Sequence, residues 1–114
     1  PAEDAPIAMA TLLRRDVVVR AGKDGAYFTR YTDSAKLSST YIPSLSVEAI
    51  DTNGAGDAHT GVLAASLAQG TSMERALVLA NCAGALASTT VGPATCPPRT
   101  QIKAAADALA EQED

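Results

Sequence analysis

The sequence predicts a protein of the α/β or α+β class, and three observations support this. Runs of β-branched and aromatic residues separated by turn residues fill the first half, whereas a period of about 3.6 residues runs through the second half. The period changes at a glycine-rich corner, "AIDTNGAGDAHTG" (49–61). With 114 residues, the chain is long enough for one compact domain and too short for two ordinary ones.

The first half is predicted to contain one helix and two to four strands. In order, these elements are a helix over 3–15, a strand over 16–20, a turn over 22–25, a strand over 26–31, and one or two short strands over 36–47 around Pro43. We expect Ile7, Leu12 and Leu13 on or near the inner face of the helix. So few strands, entered from a helix that leads into a buried strand, are expected to form part of a larger sheet.

The second half is predicted to be helical. The expected elements are helices over 57–69, 72–90 and 99–112, with a turn at Gly70 and a loop over 91–99. Val62, Leu63 and Leu67 are expected to point inward, and Thr71 with Glu74 to form a capping box at the start of the second helix. Because aromatic residues make up only 4% of the chain, the helices should pack closely on small side chains.

Composition argues against several classes of protein. The formal charge is −4 and the nine Lys and Arg residues are scattered, which argues against a nucleic-acid partner. We find no apolar run of about 20 residues that would span a membrane and no signal-peptide pattern. The two cysteines are interpreted as reduced thiols of a cytoplasmic protein, and a single histidine makes a His/Cys zinc site improbable.

The corner itself suits a phosphate group. A Gly54-Ala55-Gly56 entry to a helix presents backbone N–H groups that precede the helical ladder, and the helix dipole adds positive charge at the same point. Asp57 follows on the first turn, where it could accept a proton from an attacking hydroxyl. The alternative is a tight turn with a helix-capping aspartate. The P-loop and dinucleotide fingerprints both fail here, since no lysine lies near and His59 stands where the latter needs glycine.

Longer stretches resemble one known family. "DTNGAGDAHTG" (51–61) resembles the signature DTxGAGDxFxxG of the ribokinase-like (PfkB) carbohydrate kinases, with His59 where phenylalanine is usual. "VVVRAGKDGAYF" (17–28) is similar to a strand and turn of that family, and "ALVLANCAGALASTTVGPATCPPR" (76–99) to a segment near its C-terminus. The resemblance implies a Rossmann-like three-layer α/β/α fold. Residues 1–114 would be the C-terminal ATP-binding and catalytic portion of one larger kinase domain, with an incomplete sheet.

The resemblance also implies roles for individual residues. Asp57 would be the general base on the sugar hydroxyl, and Gly54, Ala55 and Gly56 would form the anion hole for the transferred phosphate. Residues near the nucleotide would be Gly22 and Gly25 at its phosphates and ribose, and Asn81 beside the adenine. For Asn81, a surface-facing amide or one with partners in the core is the alternative.

The implied cofactors are ATP and Mg²⁺, and many members of the family also bind a monovalent cation, here K⁺. A monovalent cation would be bound by Asp51, the Asn53 carbonyl and the loop from Gly92 to Cys96. Cys96 stands where serine is common in the family and Pro93 where alanine is common, and for Cys96 we favour a buried thiol over a catalytic role. The family's N-x-x-E motif, which serves magnesium and phosphate, lies upstream of the GAGD string, and neither asparagine here has a glutamate three residues later.

The expected activity is ATP-dependent phosphorylation of a sugar hydroxyl, on ribose, fructose or a phosphorylated relative. Because the family's sugar pocket comes mainly from its N-terminal half, we expect this portion to be inactive alone and to self-associate or bind the missing half. A nucleoside kinase of the same fold is the nearest alternative. A non-catalytic nucleotide-binding or assembly module and a small independent structural domain are the others.

Overall fold

The computed structural model describes residues 4–34, 36–50, 54–89 and 96–112. The helices are α1 (Asp4–Leu13), α2 (Ala55–Ala68), α3 (Met73–Ala87) and α4 (Arg99–Gln112), and the strands are β1 (Val17–Arg20), β2 (Ala26–Thr29) and β3 (Ser39–Ile42). The chain divides into two compact units, Pro1–Pro43 and Ser44–Asp114. No helix among the described residues is long and apolar enough to cross a membrane.

The first unit contains an antiparallel sheet in the order β1-β2-β3. β1 pairs with β2 so that Val17 lies opposite Thr29, and β2 pairs with β3 so that Ala26 lies opposite Ile42. The predicted turn between the first two strands is a short 3₁₀ helix, Gly22–Asp24. The last strand ends at Ile42, immediately before Pro43, because proline has no N–H to donate to a sheet.

Gly25 is required by the packing of this sheet. Its φ is +92°, and a Cβ placed on it would lie 2.3 Å from the carbonyl oxygen of Ile42. Any other residue would therefore displace the backbone of β3 as well as strain its own.

The predicted inner face of α1 is partly wrong. Pro6 and Ala10, four residues apart on one side of the helix, are buried, whereas Leu12 is 83% and Leu13 55% exposed. At about 100° per residue, Leu12 lies on the far side of the helix from Ala10. Ile7 is half-buried, as its position next to Pro6 requires.

The second unit is built on a core of small side chains, as the composition predicts. Its buried members come from all three helices: Ala58, Cys82, Ala83, Ala87, Ile102, Ala106 and Leu109. Val62 packs against this cluster from α2. Small residues let the helix axes approach closely, so contact between backbones replaces contact between large side chains.

Two details at the junction of α2 and α3 differ from prediction. Leu67 is 38% exposed, because the buried stripe of α2 runs through Ala58 and Ser66. The N-cap of α3 is Ser72 and not Thr71: Ser72 has an extended backbone, and its hydroxyl accepts a hydrogen bond from the Arg75 N–H at 3.3 Å. The predicted capping box between Thr71 and Glu74 is therefore wrong by one residue. The predicted turn at Gly70 is confirmed.

Candidate functional site

The glycine corner forms the N-terminus of α2. The helix begins at Ala55, two residues earlier than predicted, and Gly54 caps it with a left-handed backbone, φ +88°. The N–H of Ala58 donates the first bond of the helix, to the Gly54 carbonyl at 3.0 Å. The N–H groups of Ala55, Gly56 and Asp57 precede this bond and lie at the positive end of the helix dipole.

The segment that leads into the corner is held by α3. The Ser44 hydroxyl donates to the Asn81 carbonyl oxygen at 3.3 Å, and the Ile50 N–H donates to the Ser88 carbonyl oxygen at 2.8 Å. These bonds are made near the middle and at the end of α3. The helix therefore fixes the course of the chain over residues 44–50, just before the corner.

Asp57 is exposed and lines a cleft of about 1000 Å³. Gly54 and Cys96 line the same cleft, which runs along α2 toward α4. The structure therefore brings three of the predicted site residues to one cavity. A carboxylate on its wall can exchange a proton with a molecule bound inside.

The same cleft has cationic walls that the sequence did not reveal. Arg75, Arg99 and Lys103 all line it. Arg75 pairs with Asp107 at 2.5 Å, and Arg99 donates to the Gln69 side-chain oxygen at 2.7 Å. These basic residues are spread along two helices, so only the packing of α3 and α4 brings them together.

Asn81 lies on α3 with its side chain buried against α2. Its Oδ1 is 2.9 Å from Nε2 of His59, and the two residues are 5% and 7% exposed. The polarity of Asn81 inside a helix thus has a structural explanation, while its place beside an adenine stays a prediction. His59 is not among the predicted site residues, because its pairing with Asn81 depends on how α2 packs on α3. The sequence signal that points to it is a polar residue one helical turn before Leu63, on the predicted inner face of the helix.

The two glycines predicted to lie near a nucleotide belong to the first unit and differ in their surroundings. A Cβ on Gly22 would meet nothing within 4 Å, whereas Gly25 lies against Ile42. The space above Gly22 is open to an approaching ligand. Gly25 already has a structural reason to be glycine, so its presence alone says nothing about a ligand.

Most of the predicted cation site lies outside the described residues, namely Asp51, Asn53 and Gly92, and so does Pro93. Cys96 is described and is exposed, so the interpretation of a buried thiol is wrong: residues 96–98 form no helix or strand and run over the surface before α4 begins. Among the described residues, no group of three or more His, Cys, Asp or Glu side chains could hold a metal ion.

Comparison with known proteins identifies the family. Residues 3–100 match the model of the pfkB family carbohydrate kinases, so the chain belongs to this family. A bifunctional protein HldE from Acidiphilium cryptum is 36% identical over 94 residues, 79% of this chain and 19% of the relative. A ribokinase from Bacillus subtilis is 39% identical over 74 residues, 65% of this chain and 24% of the relative.

Solved structures show the ribokinase-like fold. A ribokinase II candidate from Escherichia coli, in complex with ATP and Mg²⁺, has a TM-score of 0.76 at 30% identity over 90% of this chain. A Burkholderia thailandensis nucleoside kinase in complex with inosine has a TM-score of 0.70 at 29% identity over 83% of this chain. Phosphofructokinase-2 from Escherichia coli, in complex with potassium, has a TM-score of 0.74 over 94% of this chain at 24% identity, and supports the fold alone.

This chain spans only part of each match. It covers 33%, 30% and 33% of those three structures, in the order given. The fold assignment is therefore confirmed for the part of a ribokinase-like protein that these residues represent.

Proposed function

We propose that this chain is the ATP-binding and catalytic C-terminal portion of a kinase that phosphorylates a sugar hydroxyl. One observation carries the proposal: the exposed Asp57 stands in the first turn of α2, beside the Gly54-Ala55-Gly56 N-terminus, on the wall of a large cleft. Membership of a carbohydrate kinase family agrees with this chemistry. The family supplies the class of reaction, and the corner supplies the groups that would perform it.

The residues of the corner have separate roles in this proposal. The Asp57 carboxylate accepts the proton of the sugar hydroxyl, which raises the nucleophilicity of the oxygen as it attacks phosphorus. The N–H groups of residues 54–56 stabilise the negative charge that develops on the transferred group. ATP with Mg²⁺, when bound, supplies the phosphoryl group and neutralises part of its charge.

We propose that Asn81 lies beside the adenine and Gly22 beside the phosphates of the nucleotide. Gly22 leaves open space above its backbone, which agrees with a phosphate-binding turn. For magnesium the described residues offer Asp57 alone at the corner, so we propose that the family's upstream N-x-x-E motif serves the metal. Potassium would be held by Asp51, the Asn53 carbonyl and the loop from Gly92 to Cys96. Cys96 lies on the same cleft as Asp57, which agrees with a cation beside the anion hole.

The sugar pocket is proposed to come from a part of the protein outside these residues. Because the chain covers about a third of the structures that it matches, 33% for the ATP complex, donor and acceptor would be held together only in the larger protein. The portion alone should bind nucleotide weakly and transfer phosphate very slowly. We also propose that the protein is cytoplasmic.

A nucleoside kinase is the second candidate function. The similarity to a nucleoside kinase bound to inosine supports it, since the same corner could activate a ribose hydroxyl of a nucleoside. Phosphorylation of ribose, fructose and inosine by the full-length protein, measured side by side, separates the two functions.

Exchange of Asp57 for asparagine tests the proposed chemistry. In the full-length protein, Asp57→Asn should lower kcat by about 10²- to 10⁴-fold, because the general base is lost, while ATP affinity stays within about twofold. Glu111→Gln, an exposed carboxylate on α4, is the matched control and should keep full activity. Undiminished turnover by Asp57→Asn would show that Asp57 is not the general base. Nucleotide binding without any turnover in the parent would support the non-catalytic module.

A further inference from the structure

A buried hydrogen bond joins the helix that carries Asp57 to the helix that carries Asn81. Nε2 of His59 and Oδ1 of Asn81 lie 2.9 Å apart, and both residues are more than nine-tenths buried. An amide oxygen can only accept, so the proton of this bond sits on Nε2 of the imidazole. The bond thereby fixes both the tautomer of His59 and the orientation of the Asn81 amide.

The two helices also touch through their backbones close to this bond. Gly84, three residues beyond Asn81 on α3, faces the first turn of α2: a Cβ on it would lie 3.2 Å from the Ala55 carbonyl oxygen and 3.7 Å from Cβ of His59. Residues three apart share a helix face. α3 therefore contacts the first turns of α2 at two points, through the His59–Asn81 hydrogen bond and through the close approach of Gly84 to Ala55.

The His59 side chain donates a hydrogen bond in addition to packing between the two helices. The family signature has phenylalanine at this position, and an aromatic ring of similar bulk would fill the gap between the helices. Phenylalanine would leave the buried Asn81 oxygen without the His59 donor, and a buried acceptor that loses a donor destabilises its surroundings or reorients. The hydrogen bond is thus a feature of this chain that packing alone does not require.

We propose that His59 is a positioning residue for the nucleotide. It holds the Asn81 amide in the orientation that recognises the base, and it ties that amide to the turn bearing Asp57, so that nucleotide recognition and the catalytic corner move as one body. The inference rests on the proposed function, in which Asn81 lies beside the nucleotide. His59 touches no reacting atom in this arrangement and acts through Asn81.

A double-mutant cycle tests this coupling. ATP affinity is measured by calorimetry on the full-length protein for wild type, His59→Phe, Asn81→Ala and the double variant. We expect His59→Phe to weaken ATP binding about tenfold and to cause almost no further loss in the Asn81→Ala background. His59→Gln, whose amide N–H can donate to Asn81, should recover most of the affinity. The KM for sugar should be the same in all five proteins.

Leu109→Ala is the control for general destabilisation. Leu109 belongs to the buried core of the second unit, lies on α4 and is not among the residues that line the cleft, so this variant should lower Tm without changing ATP affinity. If His59→Phe does not fold, His59→Leu removes the same donor with less bulk. Wild-type affinity in the donor-free variant, or additive losses in the cycle, would overturn the role of His59. Absence of ATP binding in the wild type would instead remove the proposed function on which the inference rests.

Discussion

At the scale of single residues, the two cysteines show how position decides chemistry. Cys82 is buried in the core of the second unit, and burial raises the pKa of its thiol to about 11, although the positive charge of Arg75 acts to lower it. Cys96 is exposed on the cleft. Both are free thiols, as the sequence predicts, yet only one of them meets solvent.

The two thiols should therefore react at very different rates. In native protein at pH 8, an aromatic disulfide reagent should modify Cys96 within minutes and leave Cys82 unmodified until the chain unfolds. Cys96→Ser should abolish the fast phase, and Cys82→Ser should leave it intact. Two equally fast thiols would contradict the buried environment of Cys82.

Burial of the Cys82 thiol also makes the free energy of unfolding decrease at alkaline pH. Its folded-state pKa of about 11 is above the ordinary value of 9.0, so the folded state holds the proton more tightly than the unfolded chain does. The contribution of the protonated Cys82 thiol to the free energy of unfolding is therefore complete below pH 9 and is lost as the pH rises through about 11.

At the scale of helices and strands, sequence patterns predict where the elements lie better than they predict which face of each helix is buried. All four helices and the first two strands lie within a few residues of their predicted bounds, because glycine, proline and period signals are local. The exposure of Leu12, Leu13 and Leu67 could not be predicted from periodicity, since a helix with apolar residues on several sides does not reveal which side has a neighbour. The His59–Asn81 bond depends on how α2 and α3 pack, which no local pattern records.

The two glycines of the β1–β2 turn should separate structural need from ligand binding. Gly25→Ala should lower the free energy of unfolding by about 2 kcal/mol or more, because the new methyl group collides with the Ile42 carbonyl. Gly22→Ala, with open space and φ +58°, should cost about 1 kcal/mol while weakening ATP binding. Urea denaturation of the chain and calorimetry with ATP on the full-length protein measure the two effects. Equal destabilisation by both variants would contradict the contact at Gly25.

At the scale of the whole molecule, apolar surface is left uncovered. Met9, Leu12 and Leu13 on α1 are 45%, 83% and 55% exposed, and among the described strands β1 and β3 each have one unpaired edge. Surfaces of this kind usually meet a partner. The chain covers 33% of the ATP complex that it matches, which agrees with the proposal that the rest of a larger kinase covers this surface.

The 114-residue chain by itself should consequently self-associate. Sedimentation velocity at moderate concentration should show dimers or larger species, and Leu12→Glu with Leu13→Glu should reduce them without altering Tm, because both side chains are exposed. Thr100→Glu with Gln101→Glu adds the same charge to an exposed part of α4 and is the control. A monomeric wild-type chain would contradict the expected association.

The alanine-rich core of the second unit restricts how its sequence can change. Four of its seven buried members are alanines, and a side chain that is already one methyl group has little volume left to lose. Most substitutions at these positions must therefore enlarge the residue and force the helices apart. We expect the four buried alanine positions to tolerate little but glycine, serine and cysteine, so substitutions that keep the fold intact should fall mainly on the outer faces of the helices.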